Sequence, residues 1–80
     1  MIRVNEKYYI NTDETQYKLH WVTKKSDKVI GFYPNLETAI NGLTNHMITI
    51  KLDEGEYNMK EAIEAIKEIK EYIRSIFEDV

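Results

Sequence analysis

The residue types that most often carry catalysis are scarce in this 80-residue chain. It has two histidines, His20 and His46, and no cysteine, so thiolate nucleophiles and thiolate-bound metals are excluded. The two serines, Ser26 and Ser75, lie among charged residues with no histidine beside them. A serine nucleophile needs a general base within hydrogen-bond distance, and no spacing in the sequence indicates one. We therefore expect that the protein is not an enzyme.

The spacing of the residues does not indicate a metal site or a phosphate site either. His20 and His46 are far apart in sequence and would need a carboxylate to converge on them. The acidic run from Asp53 to Glu56 has the oxygen ligands that calcium prefers but lacks the further spaced ligands of a calcium loop. Only three glycines are present, and no glycine-rich phosphate motif occurs. We expect no metal and no cofactor, and a solvated turn at the acidic run.

No catalytic, metal-binding or phosphate-binding role explains the number of aromatic residues. Six tyrosines and one tryptophan exceed what a small core requires, so some of them are expected at the surface. Tyrosine buries a large area with few rotatable bonds, which suits protein interfaces, although strand propensity alone would also explain its use. The predicted binding surface combines aromatic and basic side chains: Tyr9, Lys18, His20, Lys24, Lys25 and Tyr33. Such a surface could also stack the bases of single-stranded nucleic acid.

Charge is distributed unevenly along the chain. Residues 1–35 have six basic and four acidic side chains, whereas residues 36–80 have five basic and ten acidic ones. This balance lacks the concentrated positive field that drives phosphate binding. The acidic half is also interrupted by lysines too regularly for a mimic of DNA. Protein partners are therefore favoured over nucleic acid.

The first half of the chain has the pattern of short strands. Ile2 to Val4 and Tyr8 to Ile10 are strand-prone runs on either side of the polar turn at residues 5–7. The segment from Thr15 to Lys24 alternates between apolar and polar residues, as a half-buried strand does. The residues expected to face the core there are Tyr17, Leu19 and Trp21. Short connections predict an antiparallel meander of about three strands.

The last strand of this sheet is predicted at Val29 to Tyr33. Its alternation places Ile30 and Phe32 towards the core and Gly31 on the opposite side. Pro34 keeps the preceding residue extended and ends the strand.

A first helix is predicted directly after this strand. Asn35 is a natural N-cap for a helix from about Leu36 to Met47, which Gly42 weakens. The next segment, Ile48 to Leu52, alternates and contains β-branched residues, so we predict that it is extended or irregular.

The second helix has the strongest periodicity in the chain. Asn58 can cap it, and apolar residues then recur at alternating intervals of three and four. These residues are Met59, Ala62, Ile66, Ile69, Ile73, Ile76 and Val80. A stripe of this kind suits packing against the same helix of a second copy. We predict a homodimer, with a monomer as the alternative, and its candidate seam consists of Ile66, Ile69, Ile73 and Ile76.

These elements define an α+β fold in one domain, with the sheet in residues 1–34 and the helices in residues 35–80. The N-terminus has no long apolar run, and about 18 consecutive apolar residues, as a membrane span requires, occur nowhere. We expect a soluble, cytoplasmic protein with no membrane contact.

Two stretches carry a resemblance to a group of proteins. KYYI (Lys7 to Ile10) and IGFYPNLETAINGL (Ile30 to Leu43), together with the Lys-Glu-Ile-Lys-Glu repeat at Lys67 to Glu71, resemble small uncharacterised proteins of phages and prophages of Gram-positive bacteria. The resemblance implies a short intracellular accessory protein of the kind that disarms or redirects a host protein, including CRISPR nucleases. It brings no catalytic residues.

Three functional hypotheses follow. The first is a non-enzymatic protein-binding module, most concretely a phage-type inhibitor that blocks a host nuclease or defence complex sterically. The second is a regulator associated with nucleic acid, and the third is a self-assembling accessory protein built on the second helix. The residues that would serve the second hypothesis are Lys18, His20, Lys24, Lys25 and Lys28.

Overall fold

The computed structural model describes residues 1–78 and contains four strands followed by two helices. The elements are β1 (Ile2–Arg3), β2 (Tyr8–Thr12), β3 (Tyr17–Val22), β4 (Asp27–Tyr33), α1 (Leu36–Asp53) and α2 (Met59–Glu78). The strands form one antiparallel sheet in the order β1-β2-β3-β4. The predicted α+β meander is confirmed, with four strands where about three were expected.

Polar side chains close the hairpins of the sheet. Oδ1 of Asn5 accepts hydrogen bonds from the backbone amides of Lys7 and Tyr8, at 2.8 and 3.0 Å. Oδ1 of Asp13 accepts two more in the next turn, from the amides of Thr15 and Gln16. Short polar side chains stabilise tight turns in this way because they satisfy amides that the strands leave unpaired. The turns therefore fix the consecutive strand order.

A β-bulge in β4 changes which side chains share a face. Leu19 pairs with Gly31, but the next residue, His20, pairs with Val29, so Ile30 has no residue opposite it. The extra residue places Val29 and Phe32 on the same face although they are three positions apart. The prediction that Phe32 faces the core was therefore wrong: its side chain is 60% exposed, and Gly31 lies on the inner face opposite buried Leu19.

The inner face of the sheet carries the core of the first compact unit. Tyr8, Ile10 and Leu19 are buried there. From α1, Ala39 and Leu43 are fully buried. Burial of these side chains supplies most of the stabilisation available to a unit of this size.

Two glycines make room for one aromatic ring in this core. A Cβ atom added at Gly31 would lie 2.6 Å from Cζ of Tyr33, and one added at Gly42 would lie 2.8 Å from Cε1 of the same ring. Real Cβ atoms do not approach other atoms so closely, so the ring of Tyr33 occupies the space that both missing side chains would fill. Tyr33 thereby links β4 to α1.

Helix α1 begins as predicted and continues beyond the predicted end. Oδ1 of Asn35 accepts a hydrogen bond from the amide of Thr38 at 2.9 Å, which confirms the N-cap. The prediction that Ile48 to Leu52 is extended was wrong, because α1 is helical to Asp53. A formed helix gains one backbone hydrogen bond for each added residue, and Oγ1 of Thr49 also bonds to the carbonyl of Asn45 at 2.9 Å. These gains exceed the strand preference of the β-branched residues.

Helix α2 begins at the predicted cap. Oδ1 of Asn58 accepts a hydrogen bond from the amide of Glu61 at 2.9 Å. The helix buries Ala65 and Ile73, in agreement with an apolar stripe. Val80, the last residue of the predicted stripe, lies outside the described residues.

The chain divides into two compact units, Met1–Leu43 and Thr44–Val80. The division falls within α1, so the first turns of α1 belong with the sheet. Neither helix has the combination of length and apolarity that crossing a bilayer would demand, as judged over residues 1–78.

Candidate binding face

One row of side chains crosses all four strands on the face of the sheet opposite the core. The backbone register aligns Arg3 with Tyr9, Tyr9 with His20, and His20 with Val29. Neighbouring rows on the same face contribute Asn11, Lys18 and Phe32 on one side, and Val22 and Asp27 on the other. We call this set of nine residues the outer face.

A hydrogen-bonded cluster lies at the centre of the outer face. The hydroxyl of Tyr9 donates to Oδ2 of Asp27, and Nδ1 of His20 donates to Oδ1 of the same carboxylate at 2.9 Å. The rings of Tyr9 and His20 are stacked, with centroids 4.3 Å apart and planes 9° from parallel. Asp27 therefore fixes both rings, although they come from different strands.

Arg3 completes this cluster from the other side of Tyr9. Its Cζ lies 5.2 Å from the centroid of the Tyr9 ring, within the range of a cation–π interaction. Arg3 and His20 belong to the strands on either side of β2, so the ring of Tyr9 is covered on both faces. The row Arg3, Tyr9 and His20 is thus a continuous stack across three strands.

The hydrogen bonds of the cluster also define its charges. The bonds from Tyr9 and His20 hold the pKa of Asp27 below its ordinary value, and the bond to Asp27 raises the pKa of Tyr9. At neutral pH, Asp27 is therefore ionised and Tyr9 keeps its proton. The cluster contains a negative charge that two donors already satisfy.

An imidazole held by a carboxylate can act as a general base, but His20 is poorly placed for this role. A general base must reach the proton that it removes through its second nitrogen. Nε2 of His20 is buried and, among residues 1–78, has no hydrogen-bond partner. Nor do three metal-binding side chains converge anywhere in that part of the chain. The hydrogen bonds and the stacked rings of the cluster order the side chains of this surface.

The apolar part of the outer face lies on β4. Phe32 is 60% exposed and Val29 is 43% exposed, whereas Ile10 and Leu19 on the inner face are fully buried. An exposed Phe beside an exposed Val on a hydrogen-bonded sheet is an apolar patch with a rigid support. Sequence reasoning missed this patch because it assigned Phe32 to the core. No local signal in the sequence distinguishes the two alternations of β4, because one of the two glycines that accommodate Tyr33 lies in the following helix.

The residues predicted for binding are distributed over three places. Tyr9, Lys18 and His20 lie together on the outer face, as predicted. Lys24 and Lys25 are exposed in the turn between β3 and β4, at one end of that face. Tyr33 lies on the inner face between the two glycines, so the structure separates it from the others. Lys18 also pairs with Asp13, with a nitrogen–oxygen distance of 3.6 Å.

The predicted dimer seam on α2 is only partly exposed. Ile73 is buried within the single chain, and Ile66, Ile69 and Ile76 are half-buried. The large apolar side chains that α2 does expose are Met59, Ile63 and Tyr72. The homodimer stays a prediction, and the exposed positions differ from the seam residues.

Comparison with known proteins gave no relative: no protein family, no curated protein and no solved structure matches the chain significantly.

Proposed function

We propose that the protein is a non-enzymatic protein-binding module that contacts its partner through the outer face of the sheet. In its most specific form, it is a phage-type accessory protein that acts in the cytoplasm of the host. It inhibits a host protein, such as a CRISPR nuclease or another defence complex, by steric binding. The observation that carries this proposal is the exposure of Phe32 beside the ordered cluster of Tyr9, His20 and Asp27.

The composition of the outer face supports a protein partner. Binding energy at protein interfaces concentrates in a few aromatic and arginine side chains near the centre of the patch. Here Arg3, Tyr9 and Phe32 supply these types on one side of a single sheet. Their strands fix them before binding, so association loses less conformational entropy than it would with flexible loops.

Steric inhibition is the mode that fits these residues. The one imidazole–carboxylate pair of the outer face keeps its second nitrogen, Nε2 of His20, buried. A module of this kind acts by occupying a surface that its partner needs. The resemblance to small phage proteins favours a host protein as that partner.

A nucleic-acid partner has weaker support. Base stacking needs a free aromatic face, and the ring of Tyr9 is covered by His20 and Arg3. Lys28 is one of the basic residues that would serve this role, but it lies opposite Trp21 in the strand register and therefore on the inner face. Phe32 alone offers a large free ring on the outer face.

Affinity recovery from a Gram-positive host lysate tests the proposal. The tagged wild-type protein is compared with Phe32→Ala and with Tyr72→Ala, which removes an exposed aromatic ring from α2. The lysate is treated with nuclease, and recovered proteins are quantified by mass spectrometry. We expect one protein in stoichiometric amount with the wild type and Tyr72→Ala, and its loss with Phe32→Ala.

The other outcomes separate the alternatives. Recovery of nucleic acid in untreated lysate, with no protein left after nuclease treatment, would support a nucleic-acid regulator. Recovery of the chain alone would support self-assembly. Equal recovery of a partner with wild type and Phe32→Ala would show that the outer face is not the binding site.

A further inference from the structure

We infer that the outer face binds an acidic protein segment, one that presents carboxylates around an apolar side chain. This inference rests on the proposed function, because it names the chemistry of the partner for the same face. It follows from the positions of the cationic side chains and from the interactions that already satisfy the acidic ones.

The cationic residues surround the apolar and aromatic residues of the face. Arg3 lies on β1, at the opposite edge of the sheet from Val29 and Phe32. Lys18 is the register partner of Phe32. Lys24 and Lys25 lie in the turn beyond Asp27, at the end of the face away from Lys18. A partner docked on Phe32 therefore meets positive charge in three directions.

Two acidic residues near this face, Asp27 and Asp13, are already satisfied within the chain. Asp27 accepts hydrogen bonds from Tyr9 and His20, and Asp13 accepts them from two backbone amides. The same hydrogen bonds hold the pKa of both carboxyls below the ordinary value. The pair of Lys18 with Asp13, at 3.6 Å, is exposed and contributes little, so a partner carboxylate can replace it. Residues 1–35, which contain the sheet, have six basic and four acidic side chains, so the net charge of this segment is positive.

The small number of cations on this face favours a protein segment over nucleic acid, because phosphate binding depends on a concentrated positive charge. Four cations around an apolar patch fit a short segment with a few carboxylates and one apolar anchor. Val29, an aliphatic side chain beside Phe32 on β4, offers an apolar contact but no stacking surface for a base.

A display selection tests this inference with random peptides in place of the natural partner. Random dodecapeptides are selected on the immobilised wild-type protein, with counter-selection on Phe32→Ser so that only peptides bound to the outer face remain. The enriched peptides are then measured by fluorescence polarisation against a double variant, Arg3→Glu with Lys18→Glu. The matched control is Lys60→Glu with Lys67→Glu, the same charge change at exposed positions of α2.

We expect the enriched peptides to contain Asp or Glu on both sides of an apolar residue. Their affinity should fall at least about tenfold with the double variant and stay unchanged with the control, and it should weaken as salt increases. Enrichment of neutral or basic peptides that depend on Phe32 would overturn this inference and leave the proposed function intact. The absence of any peptide that depends on Phe32 would overturn both.

A mixed-sequence single-stranded DNA serves as the competing probe. We expect no binding at physiological salt by either the wild type or the double variant. Submicromolar binding that the double variant abolishes would overturn the inference, because the same cations would then serve phosphates.

Discussion

Tyr33 joins β4 to α1 through the space that Gly31 and Gly42 leave open. Glycine in the interior of a helix ordinarily destabilises it, because the unfolded backbone is more flexible and no side chain packs. At Gly42 this cost is offset by the ring that rests against its backbone. The position is therefore fixed by packing and not by local helix preference.

Replacing Gly42 by Ala should destabilise the protein. In an ordinary helix interior the change would stabilise by about 1 kcal/mol, but here the added Cβ collides with the ring of Tyr33, and overpacking costs about 1 to 3 kcal/mol. Urea unfolding measures the difference. Asn41→Ala, at the preceding exposed position of α1, is the control and should be neutral or slightly stabilising. A more stable Gly42→Ala protein would contradict the placement of Tyr33.

The hydrogen bonds of Asp27 predict a dependence of stability on acid. Its pKa in the folded protein is lower than the ordinary value of 3.8, so its contribution is present above that pH and is lost as the pH falls through the folded value. Thermal unfolding should therefore show that Asp27→Asn is less stable than wild type at neutral pH. The difference should shrink below pH 3.8. Asp53→Asn controls for the loss of one negative charge, and a difference independent of pH would refute the role of the cluster.

The residue pattern of β4 shows why part of the candidate face could not be predicted. Both possible alternations of the segment contain large apolar residues, Ile30 with Phe32 and Val29 with Tyr33, so periodicity alone does not select the buried one. A shift of one residue moves every side chain to the opposite face. Which of the two alternations faces the core depends on the bulge at Ile30 and on Gly42 in the following helix. Both are features of the folded structure and not of the local sequence. Tyr9, Lys18 and His20 were predicted together because the pairing of β2 with β3 has no register shift, so the alternation of both strands holds there.

At the scale of elements, both helices begin at an asparagine that accepts a hydrogen bond from the third residue after it. This signal is local in sequence, and both helix starts were predicted for that reason. The end of α1 was not predicted, because strand preference and helix continuation compete within Ile48 to Leu52. The competition is decided by the helix already formed before that segment.

Removal of either cap should cost about 1 kcal/mol, because the first turn of the helix then loses an acceptor. We expect Asn35→Ala and Asn58→Ala to lower the urea midpoint, with no change in the secondary structure seen by circular dichroism. Asn41→Ala, inside α1, again provides the comparison. Stability equal to wild type in both cap variants would mean that solvent replaces these hydrogen bonds.

At the scale of the whole molecule, the apolar surface of α2 decides between a folded monomer and a homodimer. Ile73→Glu places a charge at a buried position and should unfold the chain, at a cost of about 3 to 5 kcal/mol. Ile63→Glu, at a position that is 45% exposed, should leave it folded. Gel filtration with light scattering, together with circular dichroism, measures both.

The same pair of variants tests the predicted dimer. If the wild type is a dimer joined by exposed residues of α2, Ile63→Glu should produce a folded monomer. If the isoleucine seam joins two copies, Ile73→Glu should produce the folded monomer, which would contradict the burial of that residue within one chain. A wild type that is monomeric at high concentration would refute the homodimer.

The most direct test of the proposed binding face uses the absence of cysteine in the chain. A single cysteine is introduced by Val29→Cys on the outer face or, in a second variant, by Lys67→Cys on the exposed side of α2. The rate at which each cysteine reacts with a thiol reagent is measured with and without the protein recovered from lysate. We predict that both cysteines react readily in the free protein and that the partner slows only the reaction at position 29. Binding through the outer face of the sheet would be contradicted if the partner slows the reaction only at position 67. It would also be contradicted if the partner binds and slows neither reaction.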